Sequence, residues 1–135
     1  MVLDRHESFL PEEVFRVLAP GGTFLTQQVG GQNNNGLSRR LIPGFQPPYP
    51  GFDLEETAEQ LTQAGFQVLQ GQESFPRLRF FDVGAVVFFA KVIPWEFPGF
   101  TVDGCFDALL DLQREIEAKG HVESIEHRFF LLARK

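Results

Sequence analysis

Apolar positions along the chain recur with two spacings, one near four and one near two, and proline and glycine stand where the spacing changes. The first stretch at helical spacing is Pro11–Leu18. Val14 and Leu18 lie one turn apart, Phe15 flanks them, Pro11 sits in the first turn and Arg16 in the last. Ser8 is the expected N-cap. Ala19-Pro20-Gly21-Gly22 must stop this helix, with Gly21 or Gly22 closing it in left-handed backbone. Thr23–Val29, rich in β-branched and aromatic residues, then predicts a strand. An amphipathic helix, a Pro-Gly-Gly stop and an apolar strand form the second half of a β-α-β crossover.

The same reading extends along the chain. Asp53–Ala64 predicts a helix, with Asp53 and Glu56 as a capping box, Leu54, Ala58, Leu61 and Ala64 as its apolar stripe, and Gly65 ending it. Phe66–Phe75 begins as an alternating strand, with a twist or bulge expected at Gly71. Arg77–Phe81 leads into Asp82–Ile93, where β-branched content favours a strand while length and Asp82 as cap favour a buried helix. Asp103–Lys119 predicts a second amphipathic helix, with Phe106, Leu109, Leu110, Gln113 and Ile116 inward and Gly120 closing it. Glu126–Arg134 has a continuous apolar centre, which predicts a strand buried on both faces.

Three segments lack either period. Gly30–Gly36 is polar and glycine-rich, but its spacing fits neither a P-loop nor a dinucleotide fingerprint, and no helix clearly starts on it; a mobile loop is expected. Leu41–Phe52 is proline- and aromatic-rich, either a lid over an apolar ligand or a strap packing Phe45 and Phe52 onto the core, the strap being preferred. Pro94–Pro98 breaks the chain again. At the start, Met1-Val2-Leu3 is a very short apolar run before the turn Asp4-Arg5-His6-Glu7, as though the chain began inside a strand.

Composition narrows the function classes. Forty-three per cent hydrophobic residues over 135 positions make a globular chain with a real core. Sixteen phenylalanines against one tyrosine and one tryptophan imply aromatic burial where no polar tip needs a partner. The net charge of −6, without a basic run, argues against a nucleic-acid surface. A single cysteine, Cys105, excludes an internal disulfide framework and is read as a small buried apolar side chain in a helix. The three histidines, His6, His121 and His127, show no metal-ligand spacing, the latter two being read as solvated or hydrogen-bonded. The longest apolar run, Val83–Ile93, is interrupted by Lys91 and too short to span a bilayer, so no membrane partner is expected and a cytoplasmic location is.

Arg16-Val17-Leu18-Ala19-Pro20-Gly21-Gly22-Thr23 resembles the joint between the fourth helix and fifth strand of class I S-adenosylmethionine-dependent methyltransferases. The helix ending in Ala64-Gly65-Phe66, the strand after it, the further helices and the final strand follow the order of the family's C-terminal half. Asp4–Phe9 and Ile93–Phe97 resemble segments of a small-molecule-type (type-11-like) subgroup. The resemblance implies an α/β fold, the C-terminal half of a Rossmann-like sheet: the end of strand 4, then strands 5, 6 and 7, the last antiparallel beside the Thr23 strand, with flanking helices. It implies a helix for Asp82–Ile93. It implies one domain over 1–135, truncated, without the N-terminal cofactor-binding half.

The resemblance also assigns candidate chemistry. Asp4, Arg5 and His6 would lie beside S-adenosylmethionine, at the carboxyl end of a parallel strand where open α/β sheets bind ligands. His6 is the candidate general base, since imidazole titrates near neutrality. Gln27, Gln28, Tyr49, Trp95 and Glu96 would border the acceptor. The plainer alternatives are a solvated His6, Trp95 as a core anchor and Glu96 as a surface charge. Neither the glycine-rich turn nor the acidic ribose partner of a cofactor site is present, so the cofactor is not expected to bind this chain alone. The expected function is methyl transfer to a small molecule in a longer form; the alternatives are a non-catalytic oligomerisation remnant and an unrelated α/β enzyme sharing the joint by chance. The unpaired sheet edge of a half-domain predicts a homo-oligomer, with strand exchange as one route.

Overall fold

The computed structural model describes residues 1–135, and its contacts divide the chain into two compact units. The first comprises Met1–Gly31, Tyr49–Phe75 and His127–Lys135. It is built on a four-stranded sheet of β1 (Val2–Arg5), β2 (Thr23–Val29), β3 (Gln67–Ser74) and β6 (Arg128–Arg134) in the order β1-β2-β6-β3. β1 and β2 are parallel; β6 lies antiparallel between β2 and β3. That insertion is the one expected of the last strand.

Helices α1 (Pro11–Val17) and α3 (Leu54–Gln63) belong to this unit. Phe24 and Phe66, with Leu18 and Leu61, form its core together with Phe129, Leu131 and Ala133 from β6. Rings meet edge to face: Phe9 on Phe24 at 5.0 Å and Phe15 on Phe66 at 5.1 Å between centroids, the geometry that the aromatic quadrupole favours. Asp53 caps α3 by accepting from the Glu56 amide at 2.9 Å, and Gly65 follows at φ 102°. The end of α1 differs from expectation. Leu10, not Ser8, is the N-cap, and Ser8 bonds to Glu7 instead. Gly21, at φ 72°, closes no helix; with Pro20 before it and the Gly22 amide donating to Ala19 O at 2.8 Å, it occupies the third position of a β-turn. The carbonyls that α1 leaves open are met by Lys135, whose Nζ donates to Leu18 O at 2.8 Å and to Phe15 O at 2.5 Å.

Two strand expectations are also corrected. The register of β3 slips between Val68 and Gln70, so the bulge is at Leu69; Gly71 stays in register opposite Leu131, where a Cβ would meet a Leu54 methyl at 2.8 Å. β6 alternates, burying Phe129, Leu131 and Ala133 while Phe130 and Leu132 are half-exposed, because α1 and α3 pack on one sheet face only.

The second unit comprises Gln32–Pro48 and Pro76–Glu126. The loop expected to be mobile runs straight into a helix, α2 (Asn35–Leu41). Arg77–Phe80 is a strand, β4, paired antiparallel with β5 (Val122–Ile125), and neither strand was expected. α4 (Val83–Val92) is the helix that the resemblance implies, capped by Asp82 accepting from the Ala85 amide at 2.8 Å. α5 (Phe106–Lys119) starts after Cys105, which is buried at the N-cap. Its inward face is Leu109, Leu112 and Ile116; Phe106 and Leu110 are exposed. Leu37, Val86, Phe97 and Leu112 sit in this unit's core with them. Arg40, bonded to the Glu115 carboxylate at 2.6 Å, holds that carboxyl below its ordinary range, and Arg79 does the same for Glu123 with help from His121 and Arg77. Phe45 is buried as a strap residue, and Phe52 packs edge-on against Phe129 at 5.4 Å in the first unit. No helix is long and apolar enough to cross a membrane.

Candidate functional site

In the first unit, the carboxyl ends of β1 and β2 gather five of the expected site residues. Parallel pairing sets Asp4 opposite Thr26 and Arg5 opposite Gln27. Since neighbours along a strand point to opposite faces, Asp4, Thr26 and Gln28 share one face and Arg5 and Gln27 the other. Gln27 and Gln28 therefore do not line one wall together.

On the first of these faces the polar groups satisfy one another. The Asp4 carboxylate accepts from the Thr26 hydroxyl at 2.7 Å and from Gln28 Nε2 at 2.5 Å, and Gln28 Nε2 also reaches the Glu7 carbonyl at 3.0 Å. Thr26 and Gln28 are buried. A buried amide and hydroxyl need partners, and a carboxylate acceptor gives the stronger kind of bond. Asp4 thus fastens the end of β1 to β2 and sets the path of the turn after it. Sequence reading missed Thr26, although its signal was there: two polar residues at inward positions of a strand that also buries Phe24. His6 follows at φ 57°, its amide donating to Gln27 O at 2.8 Å, so the ladder runs one residue past β1 before the backbone reverses hand. Its side chain is exposed at the strand's carboxyl end.

On the other face lies an open depression of about 420 Å³, floored by Leu3, Leu25 and Phe130, with Arg5 and Gln27 at one end. Tyr49 is 69% exposed and belongs to the same unit.

Gly30 and Gly31 follow β2. A Cβ on Gly30 would sit 2.1 Å from His127 Nδ1, and one on Gly31 would sit 1.7 Å from the Tyr49 carbonyl oxygen. The chain's own packing occupies the space beside both glycines, so they cannot cradle a nucleotide. His127 fills that space as a fully buried ring, stacked on Phe75 at 4.7 Å, with Nε2 2.7 Å from Glu73 Oε1. Of the two readings left open for it, this histidine is the hydrogen-bonded one. No group of His, Cys, Asp and Glu could hold a metal ion. A nucleoside donor such as S-adenosylmethionine needs a glycine turn with free space and an acid for the ribose. The residues present do not fit it on their own.

Trp95 and Glu96 belong to the second unit. Trp95 is 63% exposed, which removes the core-anchor alternative. Glu96 is no plain surface charge: Asn33 Nδ2 donates to one carboxylate oxygen at 2.6 Å and Asn34 Nδ2 to the other at 2.7 Å. Its carbonyl accepts from the Ser38 hydroxyl at 2.8 Å, and Asn34 Oδ1 accepts from the Ser124 hydroxyl at 2.7 Å. Asn34 stands at φ 53°, a left-handed position that asparagine tolerates better than most residues. Both carboxylate oxygens are spent in fastening the start of α2. Glu96→Gln keeps the size but sets an NH2 group against an amide donor. The expected loss is about 1–3 kcal/mol, read as a lower urea midpoint at unchanged slope; an unchanged midpoint would remove the structural role given to Glu96.

No protein-family model matches the sequence, and no curated protein matches it significantly. Solved structures do. A proposed methyltransferase of Bacillus halodurans C-125 is similar with a TM-score of 0.53 at 13% identity, over 98% of this chain and 68% of that one. The cyclase SpnF is similar at 18% identity and TM-score 0.48, over 98% of this chain and 48% of that one. Phosphoethanolamine N-methyltransferase 2 of Haemonchus contortus, solved with S-adenosylmethionine, is similar at 17% identity and TM-score 0.42, over 98% of this chain and 32% of that one. The chain thus spans 32% to 68% of the length of these structures. With β6 inserted antiparallel beside β2 and helices flanking the sheet, the chain carries a class I methyltransferase fold.

Proposed function

We propose that these residues form the acceptor-side portion of an S-adenosylmethionine-dependent methyltransferase, completed by donor-binding polypeptide outside the 135 residues. The observation that carries this reading is the strand order β1-β2-β6-β3 with the polar turn Asp4-Arg5-His6 at the carboxyl end of β1. The donor would approach that turn. Asp4 is a positioning residue there, because its carboxylate is bonded to Thr26 and Gln28. His6 and Gln27, exposed at the same strand ends, are the residues offered to an acceptor, and Tyr49 is the aromatic group offered with them.

Methyl transfer from a sulfonium asks chiefly for alignment of the nucleophile and exclusion of water. A base is required only where the nucleophile carries a proton to be lost, and His6 is the group placed for it. The acceptor is a small molecule.

Calorimetric titration with S-adenosylhomocysteine tests the division of labour. The chain alone is expected to give no heat up to about 1 mM ligand, which corresponds to less than about 4 kcal/mol of binding. A form extended upstream is expected to bind. Micromolar binding by the 135 residues alone would contradict the reading.

A further inference from the structure

Strand β2 turns Phe24, Thr26 and Gln28 to one face, and all three are buried. A hydroxyl and an amide in that row add less to a core than aliphatic side chains of the same size, because a buried hydrogen bond brings little net stability. Their partners show what they do instead. Gln28 Nε2 lies 2.5 Å from Asp4 Oδ2, 2.7 Å from Thr26 Oγ1 and 3.0 Å from the Glu7 carbonyl oxygen. A carboxylate and a carbonyl only accept, so the atom set among them is the donor nitrogen and the amide has one orientation. Asp4 Oδ2 and Thr26 Oγ1 are themselves 2.7 Å apart, so one N–H serves that side and the other is left for Glu7. A single buried amide thus grips the chain two residues before His6 and one residue after it.

Between those grips His6 stands at φ 57°, one of two non-glycine residues in left-handed backbone. That conformation is strained for a residue with a Cβ, and it persists only where the surroundings enforce it. No glycine stands in Asp4–Glu7 to take the positive φ in its place. The His6 amide donates to Gln27 O at 2.8 Å, which fixes the chain entering the residue and leaves the chain after it unheld. The bond from Gln28 to the Glu7 carbonyl supplies that second hold.

We propose that Gln28 is a positioning residue: it braces the turn from both sides and keeps His6 left-handed, so that the imidazole has one direction before any acceptor arrives. Gln28 is spent on this brace and does not border the acceptor. The use of the imidazole as a base rests on the methyltransferase reading, whereas the brace does not. A base set in place ahead of binding is what catalysis by alignment asks of a fold.

Nuclear magnetic resonance of the full chain tests it. Gln28→Met keeps the length of the side chain and removes its donor. In that variant the order parameter of the His6 amide is expected to fall from about 0.85 to below about 0.6. Its hydrogen exchange is expected to quicken at least about tenfold beyond any change shared by the amides that pair β2 with β6. Where Gln28→Met does not fold, Gln28→Asn takes its place, since the shorter amide cannot reach both sides of the turn. Unfolding equilibria give a second, independent reading. His6→Gly removes the backbone strain only where the brace enforces it, so its effect is expected to be at least about fivefold more stabilising with Gln28 present than in the Gln28→Met background. An unchanged order parameter at His6 in a folded variant overturns the proposal, and so does an equal effect of His6→Gly in the two backgrounds. No readout involves a nucleoside, so failure here and failure of the S-adenosylhomocysteine titration are separate results.

Discussion

Gly31→Ala is expected to destabilise the chain by about 3 kcal/mol or more, at the upper end of what overpacking costs. The cause is backbone, not side chain. The new Cβ would lie 1.7 Å from the Tyr49 carbonyl oxygen and 2.8 Å from its carbon, and a peptide group cannot rotate aside as a side-chain tip can. Gly31 also donates its amide to Phe52 O at 2.7 Å, so retreat from Tyr49 breaks the bond that joins this loop to the start of α3. Gly36→Ala is the matched control. Gly36 lies in α2 with nothing within 4 Å of its Cβ position, and alanine there is expected to stabilise by about 0.5–1 kcal/mol through helix propensity. Urea unfolding of the two variants should therefore move in opposite directions. Equal midpoints would show that the Gly31 loop is looser than described.

Phe24→Ala should cost about 3–5 kcal/mol, a fall in melting temperature of roughly 10–20 °C for a chain of this size. Phe24 is fully buried at the centre of the first unit's core, with Phe9 edge-on at 5.0 Å and Phe66 at 6.0 Å. Its strand neighbours are themselves in register with β6, so the backbone cannot close over the void. Phe88→Ala removes the same atoms from a residue that is 70% exposed and is expected to change stability by less than about 0.5 kcal/mol. The contrast matters because phenylalanine is so abundant here that composition alone cannot say which rings hold the fold. A small effect at Phe24 would mean that the first unit draws its stability from elsewhere.

Where local chemistry and burial agree, the pattern of residues was enough. Asp53 and Asp82 cap α3 and α4 as their sequences imply, Gly65 and Gly120 end their helices at positive φ, and β2 spans Thr23–Val29. Each rests on interactions within a few residues. α2 was not legible, because its start, Asn33-Asn34-Asn35-Gly36, has no apolar period and its inward asparagines look like loop residues. What satisfies them is a carboxylate more than sixty positions away. β4 and β5 failed for the same reason: each is four residues long and exists only as the other's partner.

The face that a helix buries was a second blind spot. Leu110 and Phe106 fit the apolar stripe of α5 as well as Leu112 does, and only packing against α4 and β5 chose Leu109, Leu112 and Ile116. His127 is the sharpest case at the site. As a residue it could be solvent-facing or bonded; the space beside Gly30, the Glu73 carboxylate and the Phe75 ring made it a buried bonded one.

By itself, then, the order of residues determined the crossover, the caps, the stops and the polar turn after β1, since short-range hydrogen bonding and steric limits decide these. Tertiary structure decided which polar groups are spent on the fold and which are left to act. Asp4 and Glu96 read as candidate site carboxylates, yet both are held by partners from distant strands or loops, because a half-buried charge is stable only where donors converge on it.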